Sequence, residues 1–299
     1  MRRWRPVPDL IPPAFGHVPV LLDAVIEQLR PALGMRVLDC TCGLGGHSEA
    51  LLMRGCIVLG IDRDARARES ACRRLASYGE QFTLRGGTFA SAVATLSAAG
   101  ERFDAVLVDL GVSSMQLDDD ARGFSWRSEN RADMRMGDGC DTDALALIDE
   151  LDEDALANVI FRFGEERLSR RISRALKRAR SAGAESGAQL ADAIRAAVPG
   201  HQPRHPAVRT FQALRIAVNG ELDELGHLLD ILPKLLHPGA RAAVISFHSL
   251  EDRMVKLAFR AQKQSGILTD IARKPVIATD VEIAANPRAS SAKLRWAVR

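Results

Sequence analysis

Apolar positions at Val18, Leu21, Leu22, Val25, Ile26 and Leu29 recur at helical spacing until Pro31 and Gly34 end the segment, which predicts a helix ahead of the first strand. Two short apolar runs follow at 35–40 and 56–61, separated by a helix-compatible stretch at 46–54 and succeeded by another at 65–77. Further strands are expected at 81–85 and 103–109. Strands alternating with helices in this way favour a parallel sheet with right-handed crossovers.

After Asp109 the rhythm breaks. No clear strand returns until 239–247, and the interval is mostly helical in period. A strand at 242–247, a helix over 250–262 and a β-like run at 292–298 then complete the pattern. The expected fold is therefore α/β, with a doubly wound, Rossmann-like domain formed by 1–114 and 211–299 and interrupted by an inserted helical domain at 115–210.

The basic N-terminus, Met1 to Pro6, lacks the apolar core of a secretory signal and carries Pro6, Pro8, Pro12 and Pro13 instead, so it reads as a loose leader. There is no run of 18 or more apolar residues, which predicts a chain with no membrane span. Five cysteines without a CxxC pair or a zinc-like His/Cys spacing suit a reduced cytoplasm and predict no metal site. A net charge of +3 does not by itself identify a nucleic-acid partner, because clustering on a face decides that.

Clustering is present. Eight acids and no Lys or Arg lie between Asp138 and Asp154, and eight bases against two acids lie between Arg162 and Arg180. Arg162, Arg167, Arg170, Arg171 and Arg174 are candidates for holding an RNA backbone. The alternative is a solvated helix face paired with the acidic run. A second candidate patch combines Arg204, Arg209 and Arg215 with His201 and His205, and Phe124, Trp126 and Phe211 are candidates for stacking on bases.

The segment from Leu38 to His47, LDCTCGLGGH, follows a buried-looking strand and opens a helix, which is the context that gives a glycine-rich loop meaning. The third glycine of a dinucleotide fingerprint would fall at position 48, where this chain has Ser48, weakening a pyrophosphate-binding reading. Asp62, 23 residues beyond Asp39, is placed to accept from both hydroxyls of an adenosine ribose. Asp39 also suits a cationic cofactor better than a pyrophosphate. The pattern favours S-adenosylmethionine over a nicotinamide dinucleotide, and the bland alternative is a tight strand-to-helix turn made by Gly43, Gly45 and Gly46. Cys40 and Cys42 are read as packing residues.

Asp109 ends the fourth strand, where ligands of open α/β sheets bind. It is a candidate acceptor for an amine N–H during methyl transfer, a cofactor-positioning group, or a helix cap. His248, after the fifth strand, is a candidate proton acceptor or RNA contact, with a structural turn residue as the alternative. Phe89 suits an adenine face or ordinary core packing.

The run Val108 to Asp118, VDLGVSSMQLD, resembles the bacterial 16S rRNA (cytosine-N4)-methyltransferase family. The resemblance extends through HVPVLL from His17, GGHS from Gly45, RGFS from Arg122, DMRM from Asp133, GEER from Gly164, RTFQALRI from Arg209, SFHSLEDR from Ser246 and NPRA from Asn286. It implies a class I methyltransferase domain carrying a smaller helical insertion. It also implies methylation of a decoding-centre cytosine of the small ribosomal subunit, with cofactor contacts at Gly45, Gly46, His47, Asp62, Phe89, Asp109 and Gln116. Cys40, Cys42, Ser290 and a shortened segment before Arg273 depart from that family's pattern. Three rivals stay open: a nicotinamide-dependent dehydrogenase, a methyltransferase for another RNA, and a non-catalytic RNA-binding ribosome assembly factor that keeps a cofactor pocket. The sequence leaves a monomer and a homodimer both open.

Overall fold

The computed structural model describes residues 19–137, 139–200 and 205–299. His17, Val18, Asp138, His201 and Arg204 lie outside the described residues. Helix α1 (Leu22–Leu29) leads into β1 (Arg36–Asp39), α2 (Gly46–Leu52), β2 (Ile57–Asp62), α3 (Ala65–Leu75), β3 (Phe82–Gly86), α4 (Phe89–Ala98) and β4 (Phe103–Asp109). The chain next passes through α5 (Ser114–Asp118), α6 (Ala144–Glu150), α7 (Glu153–Gly164), α8 (Ser169–Ser181), α9 (Gly187–Ala197), α10 (Ala207–Asn219) and α11 (Glu221–Leu235). It returns to the sheet at β5 (Leu236–Ser246) and continues through α12 (Ser249–Gln264), β6 (Asp270–Ile271), β7 (Val276–Ile277), α13 (Asp280–Ala285) and β8 (Lys293–Val298).

The strands lie in the order β3-β2-β1-β4-β5-β8-β6, with β7 also pairing β8. The first five are parallel and β8 runs antiparallel to β5, β6 and β7. Chain direction across the sheet reverses between β1 and β4, opening a crevice at their carboxyl ends. Alternate residues of the central strands face opposite layers. Leu38, Val106, Val108 and Val244 pack with Leu96 of α4, Leu228 and Leu232 of α11 and Phe259 of α12. Val37, Val58, Leu107 and Ile245 pack with Val25 and Leu29 of α1, Leu51 of α2 and Leu294 of β8. The expected doubly wound α/β architecture is present.

Strand β5 begins earlier than the pattern indicated. His237-Pro238-Gly239 reads as a turn, yet the strand runs through it from Leu236, with a register shift on the β4 side between Phe103 and Ala105. A proline cannot donate to a ladder and is tolerated at such an irregularity. The two-residue strands β6 and β7 are too short to leave a period in the sequence.

A third core joins Leu145 and Ile148 of α6, Leu156 and Ile160 of α7, Ile172 and Leu176 of α8, Leu190 and Ile194 of α9, and Phe211 and Leu214 of α10. A boundary at 210 cuts through α10, which enters this core as one continuous helix. Phe124 and Phe211 are buried in the same core and are not free to stack on a base. Much of the acidic run has local work: Asp143 and Asp152 cap α6 and α7, and each cap satisfies a helix N–H left without an intrahelical partner.

Asn219, the last residue of α10, fastens the loop before α6 to the sheet side. Its Nδ2 donates to Met134 O at 2.8 Å and its Oδ1 accepts from Met136 N at 2.8 Å. Met134 is buried with φ +64°, a left-handed conformation costly for an unbranched side chain and held here by these bonds together with Met134 N donating to Arg122 O. Replacing Asn219 with Ala leaves two buried backbone groups unsatisfied. Chemical denaturation of Asn219→Ala is expected to show a loss of about 2–3 kcal/mol, whereas a loss near zero would mean the loop holds itself.

Candidate active site

The loop between β1 and α2 is shaped by Asp39, whose residue is only 1% exposed. Ser48 Oγ donates to its Oδ2 at 2.7 Å and Thr41 N to its Oδ1 at 3.2 Å. Gly45 and Gly46 are required by close approach: a Cβ on Gly45, at φ +80°, would sit 2.9 Å from Leu75 Cδ1 of α3, and one on Gly46 would sit 2.5 Å from Pro19 Cγ. Ser48 therefore replaces the third fingerprint glycine with a hydroxyl that the buried carboxylate needs.

The loop borders a cavity of about 420 Å³. Every parallel strand contributes to it from its carboxyl end: Cys40 to Leu44 after β1, Asp62 and Arg63 after β2, Gly87 and Phe89 after β3, Asp109 to Ser113 after β4 and Phe247 after β5. Gly46, His47 and Gln116 line it too, whereas Asp39 and Gly45 do not. Both were expected among the cofactor contacts; Asp39 instead braces the loop through Ser48 and Thr41, and Gly45 gives it room against Leu75.

Asp62 accepts from Gly43 N at 2.7 Å and from Asp64 N at 2.8 Å, one bond per carboxylate oxygen. Each oxygen keeps a second lone pair, so the carboxylate can still accept from a vicinal diol. Burial raises its pKa against the lowering effect of these N–H groups. Thr41 Oγ1 accepts from Asp109 N at 2.6 Å and fixes the end of β4. The Asp109 side chain keeps 24% exposure toward the cavity, and its Oδ1 is occluded without a hydrogen bond. Burial, with the charges of Asp39 and Glu251 nearby, holds its carboxyl well above the usual carboxylate range.

His47 Nε2 lies 3.0 Å from Val20 O. A carbonyl can only accept, so Nε2 carries a proton and Nδ1 has the lone pair in the neutral ring. Nδ1 stands 3.7 Å from Asp109 Oδ2, which places a second acceptor behind the carboxylate.

Gln116 is fully engaged. With Ser113 it forms a capping box on α5, and its Nε2 donates to Asp64 Oδ2 at 2.9 Å and Met136 O at 3.0 Å. Asp64 also caps α3 and pairs with Arg122. These bonds tie the rim of the cavity to the loop leading into the helical unit.

The far wall carries charges that sequence reasoning missed. Arg215 of α10 donates through Nε and Nη2 to the two oxygens of Glu221 at 2.8 and 2.9 Å. It lines the cavity and is not part of a surface patch. Glu251 of α12 accepts from Phe247 N at 2.8 Å and His248 N at 3.2 Å. Burial alone would raise its pKa, but His248, Arg215 and the Phe247 N–H together hold it below the ordinary value. The signal for this group was the Arg215-to-Glu221 spacing across a helix break at Gly220, which is readable only once two helices are known to meet there.

His248 caps α12: its Nδ1 accepts from Glu251 N at 3.4 Å, and Nε2 lies 3.2 Å from Glu251 Oε1 without hydrogen-bond geometry. It does not line the cavity, so its geometry is that of a turn residue, not of a group facing a reacting atom. Glu221, His248 and Glu251 bring ligand atoms within 4.8 Å of one another. Arg215 occupies both oxygens of Glu221, however, and supplies the positive charge an ion would bring. The Cys40 and Cys42 thiols are pushed up by burial and by Asp39, which keeps them protonated and poor ligands.

Among the RNA-binding candidates, Arg162, Arg167, Arg170, Arg171, Arg174 and Arg209 are exposed. Arg170 lies 3.9 Å from Asp154 and Arg209 3.8 Å from Glu166, both loose, and Arg162 covers the Phe163 ring. Arg167, Arg171, Arg174 and Arg178 share one exposed side of α8 and the turn before it, because residues three and four apart are neighbours on a helix. Arg180 instead pairs with Asp149 at 2.6 Å, so acid–base pairing accounts for only part of the stretch. Trp126 is covered by His205, stacked at 4.0 Å, and by Arg127.

Burial raises the Asp39 pKa to about 6, outweighing the Ser48 and Thr41 bonds that lower it. Because the folded-state value exceeds the unfolded one, this carboxyl favours the folded state most below pH 4 and loses that contribution as pH rises through about 6. Asp39→Asn is expected to remove a stability decline of roughly 2–3 kcal/mol between pH 4 and 7. Denaturation profiles of wild type and variant that stay parallel across that window would assign the ionisation elsewhere.

The MraW methylase family matches residues 14–299. The ribosomal RNA small subunit methyltransferase H of Synechococcus elongatus is 46% identical over 293 residues, covering 96% of each chain. The proteins of the same name from an Anaeromyxobacter species and from Sorangium cellulosum are 49% and 46% identical, covering 94% and 98% of this chain and 97% and 94% of their own. With that match spanning sheet, insertion and every wall of the cavity, the chain belongs to the MraW methylase family.

Proposed function

We propose that the protein transfers a methyl group from S-adenosylmethionine to N4 of a decoding-centre cytosine in 16S rRNA within the small subunit, working in the cytoplasm. No described helix is long and apolar enough to cross a membrane. The observation that carries the reading is Asp109, whose carboxyl at the end of β4 keeps 24% exposure toward a cavity that Asp62 also lines.

The cavity fits the cofactor chemically. Asp62 is suited to the ribose, Phe89 to the adenine, and the negative field of Asp62 and Asp109 to a cation. Bound there, S-adenosylmethionine supplies an electrophilic methyl group, so no covalent enzyme intermediate is needed. Asp109 accepts from the exocyclic amine and draws electron density onto its nitrogen, which is delocalised into the ring in free cytosine. Asp109 then takes the proton that the amine loses, and His47 Nδ1 is the next acceptor behind it. Gly46, His47 and Gln116 complete the cofactor side, and Gly45 and Asp39 keep the loop in shape.

We assign the helical unit at 115–210, extended through the rest of α10, to substrate recognition. A base must leave its stack to reach such a cavity, and cations hold the backbone while it does. The exposed stripe of Arg167, Arg171 and Arg174 supplies them, with Arg162, Arg170 and Arg209 alongside.

Labelled methyl transfer to small subunits from cells lacking the activity, followed by nucleoside mass spectrometry, tests the reaction. N4-methylcytidine at one decoding-centre position is the expected product, while cofactor binding without label in RNA would favour a non-catalytic assembly factor. Asp62→Ala is expected to weaken cofactor binding by about 1–3 kcal/mol in calorimetry, and unchanged affinity would remove Asp62 from the ribose. Changing Arg167, Arg171 and Arg174 together to Ala should reduce the salt slope of subunit binding by about 2 and leave cofactor affinity intact. An unaltered slope would make the stripe a solvated face.

A further inference from the structure

We infer that Arg215, clamped by Glu221 on the cavity wall, reads the N3 and O2 edge of the target cytosine while Asp109 holds its N4 amine. The inference rests on the cytosine-N4 reading above and adds the group that selects the base.

Glu221 holds Arg215 through Nε and Nη2. Nη1 makes no hydrogen bond among the described residues, and the Arg215 side chain, 17% exposed, lines the cavity, which leaves Nη1 as the part of the fork to face it. A guanidinium gripped along one edge loses little further freedom when the other edge binds. Its location is also specific. Glu251 acts electrostatically on both Arg215 and Asp109, and its carboxylate is bonded to the turn carrying Phe247. Arg215, Glu251 and Asp109 all line the cavity, Glu251 holds the turn after β5, and β5 pairs with β4, which Asp109 ends, whereas Asp62 ends β2 two strands away.

The pair offers fixed donors from Arg215 and an acceptor from Asp109. Cytosine presents the complement, with an N4–H donor beside the N3 and O2 acceptors. Uracil reverses the first two, with an O4 acceptor beside an N3–H donor, so it would face repulsion at both groups. Adenine presents a donor beside one acceptor but lacks the carbonyl. A site that hydrogen-bonds a substrate rejects an analogue that leaves its buried polar groups unpaired.

Arg215 also joins α10 to α11, and a simple loss of activity on mutation would not separate packing from recognition. The test is a cycle: wild type and Arg215→Gln, each with small subunits reconstituted with cytidine or 3-deazacytidine at the target. 3-Deazacytidine keeps the amine and the carbonyl but replaces N3 by C–H. With wild type, removing N3 is expected to slow single-turnover methylation by about tenfold to a hundredfold, the range for a lost charged hydrogen bond. Arg215→Gln should lose a similar factor on cytidine, lose little more on 3-deazacytidine, and bind S-adenosylmethionine within about twofold of wild type. Losses that multiply, or cofactor affinity that falls in step with the rate, would overturn the assignment of Arg215 and leave the reaction standing. Absence of N4-methylcytidine with wild type and cytidine would overturn the reaction itself and this inference with it.

Discussion

Burying a carboxylate is costly unless its oxygens are bonded or an opposing charge is near, and this protein buries one and half-buries two at the ends of adjacent parallel strands. Asp39, Asp62 and Asp109 close β1, β2 and β4. The first two are answered from within the chain, by Ser48 and Thr41 for Asp39 and by Gly43 and Asp64 for Asp62. Those bonds dictate the course of the loop after β1, and hence where α2 begins. Asp109 is left partly unanswered, with the Nδ1 of His47 standing 3.7 Å from its Oδ2. Its side chain keeps 24% exposure toward the cavity, and a ligand bearing positive charge and N–H donors suits that carboxylate.

The same rim is connected to the helical unit by side chains that have no slack. Gln116 bonds Asp64 and Met136, Asp64 also pairs with Arg122, and Asn219 bonds Met134 and Met136. Residues that shape the cavity and residues that enter the third core thus share one network. On the proposed assignment, substrate held by the helical unit and cofactor held by the sheet would share one reference frame, as a direct displacement requires when reacting atoms must be in line.

The parallel sheet was legible because its strands are buried on both faces and read as apolar runs such as 103–109. The insertion was legible as a loss of that rhythm, and Asp62 and Asp109 as acids at the ends of two such runs. What escaped were features made by tertiary contact. Asp39 and Asp62 have the same residue type in similar contexts, and only packing decides that one faces the cavity and the other supports the loop. Arg215 looked like a member of a basic surface patch until α10 and α11 were brought together. His248 carried a catalytic suggestion because histidine after a strand often does, but here its ring serves the cap of α12. For Phe211 the sequence leaves base stacking and core packing both open, and the contacts of α10 place it in the core.

The central claim is that the carboxylate cluster is matched to a cationic cofactor. Because burial raises the pKa of Asp62 and Asp109, a positive charge placed beside them should lower both and release protons. Calorimetric titration in buffers of different ionisation enthalpy measures that release for S-adenosylmethionine and for S-adenosylhomocysteine, which lacks the sulfonium charge. The account predicts proton release with the former that is clearly larger than with the latter, and equal release, or none with either, would contradict it.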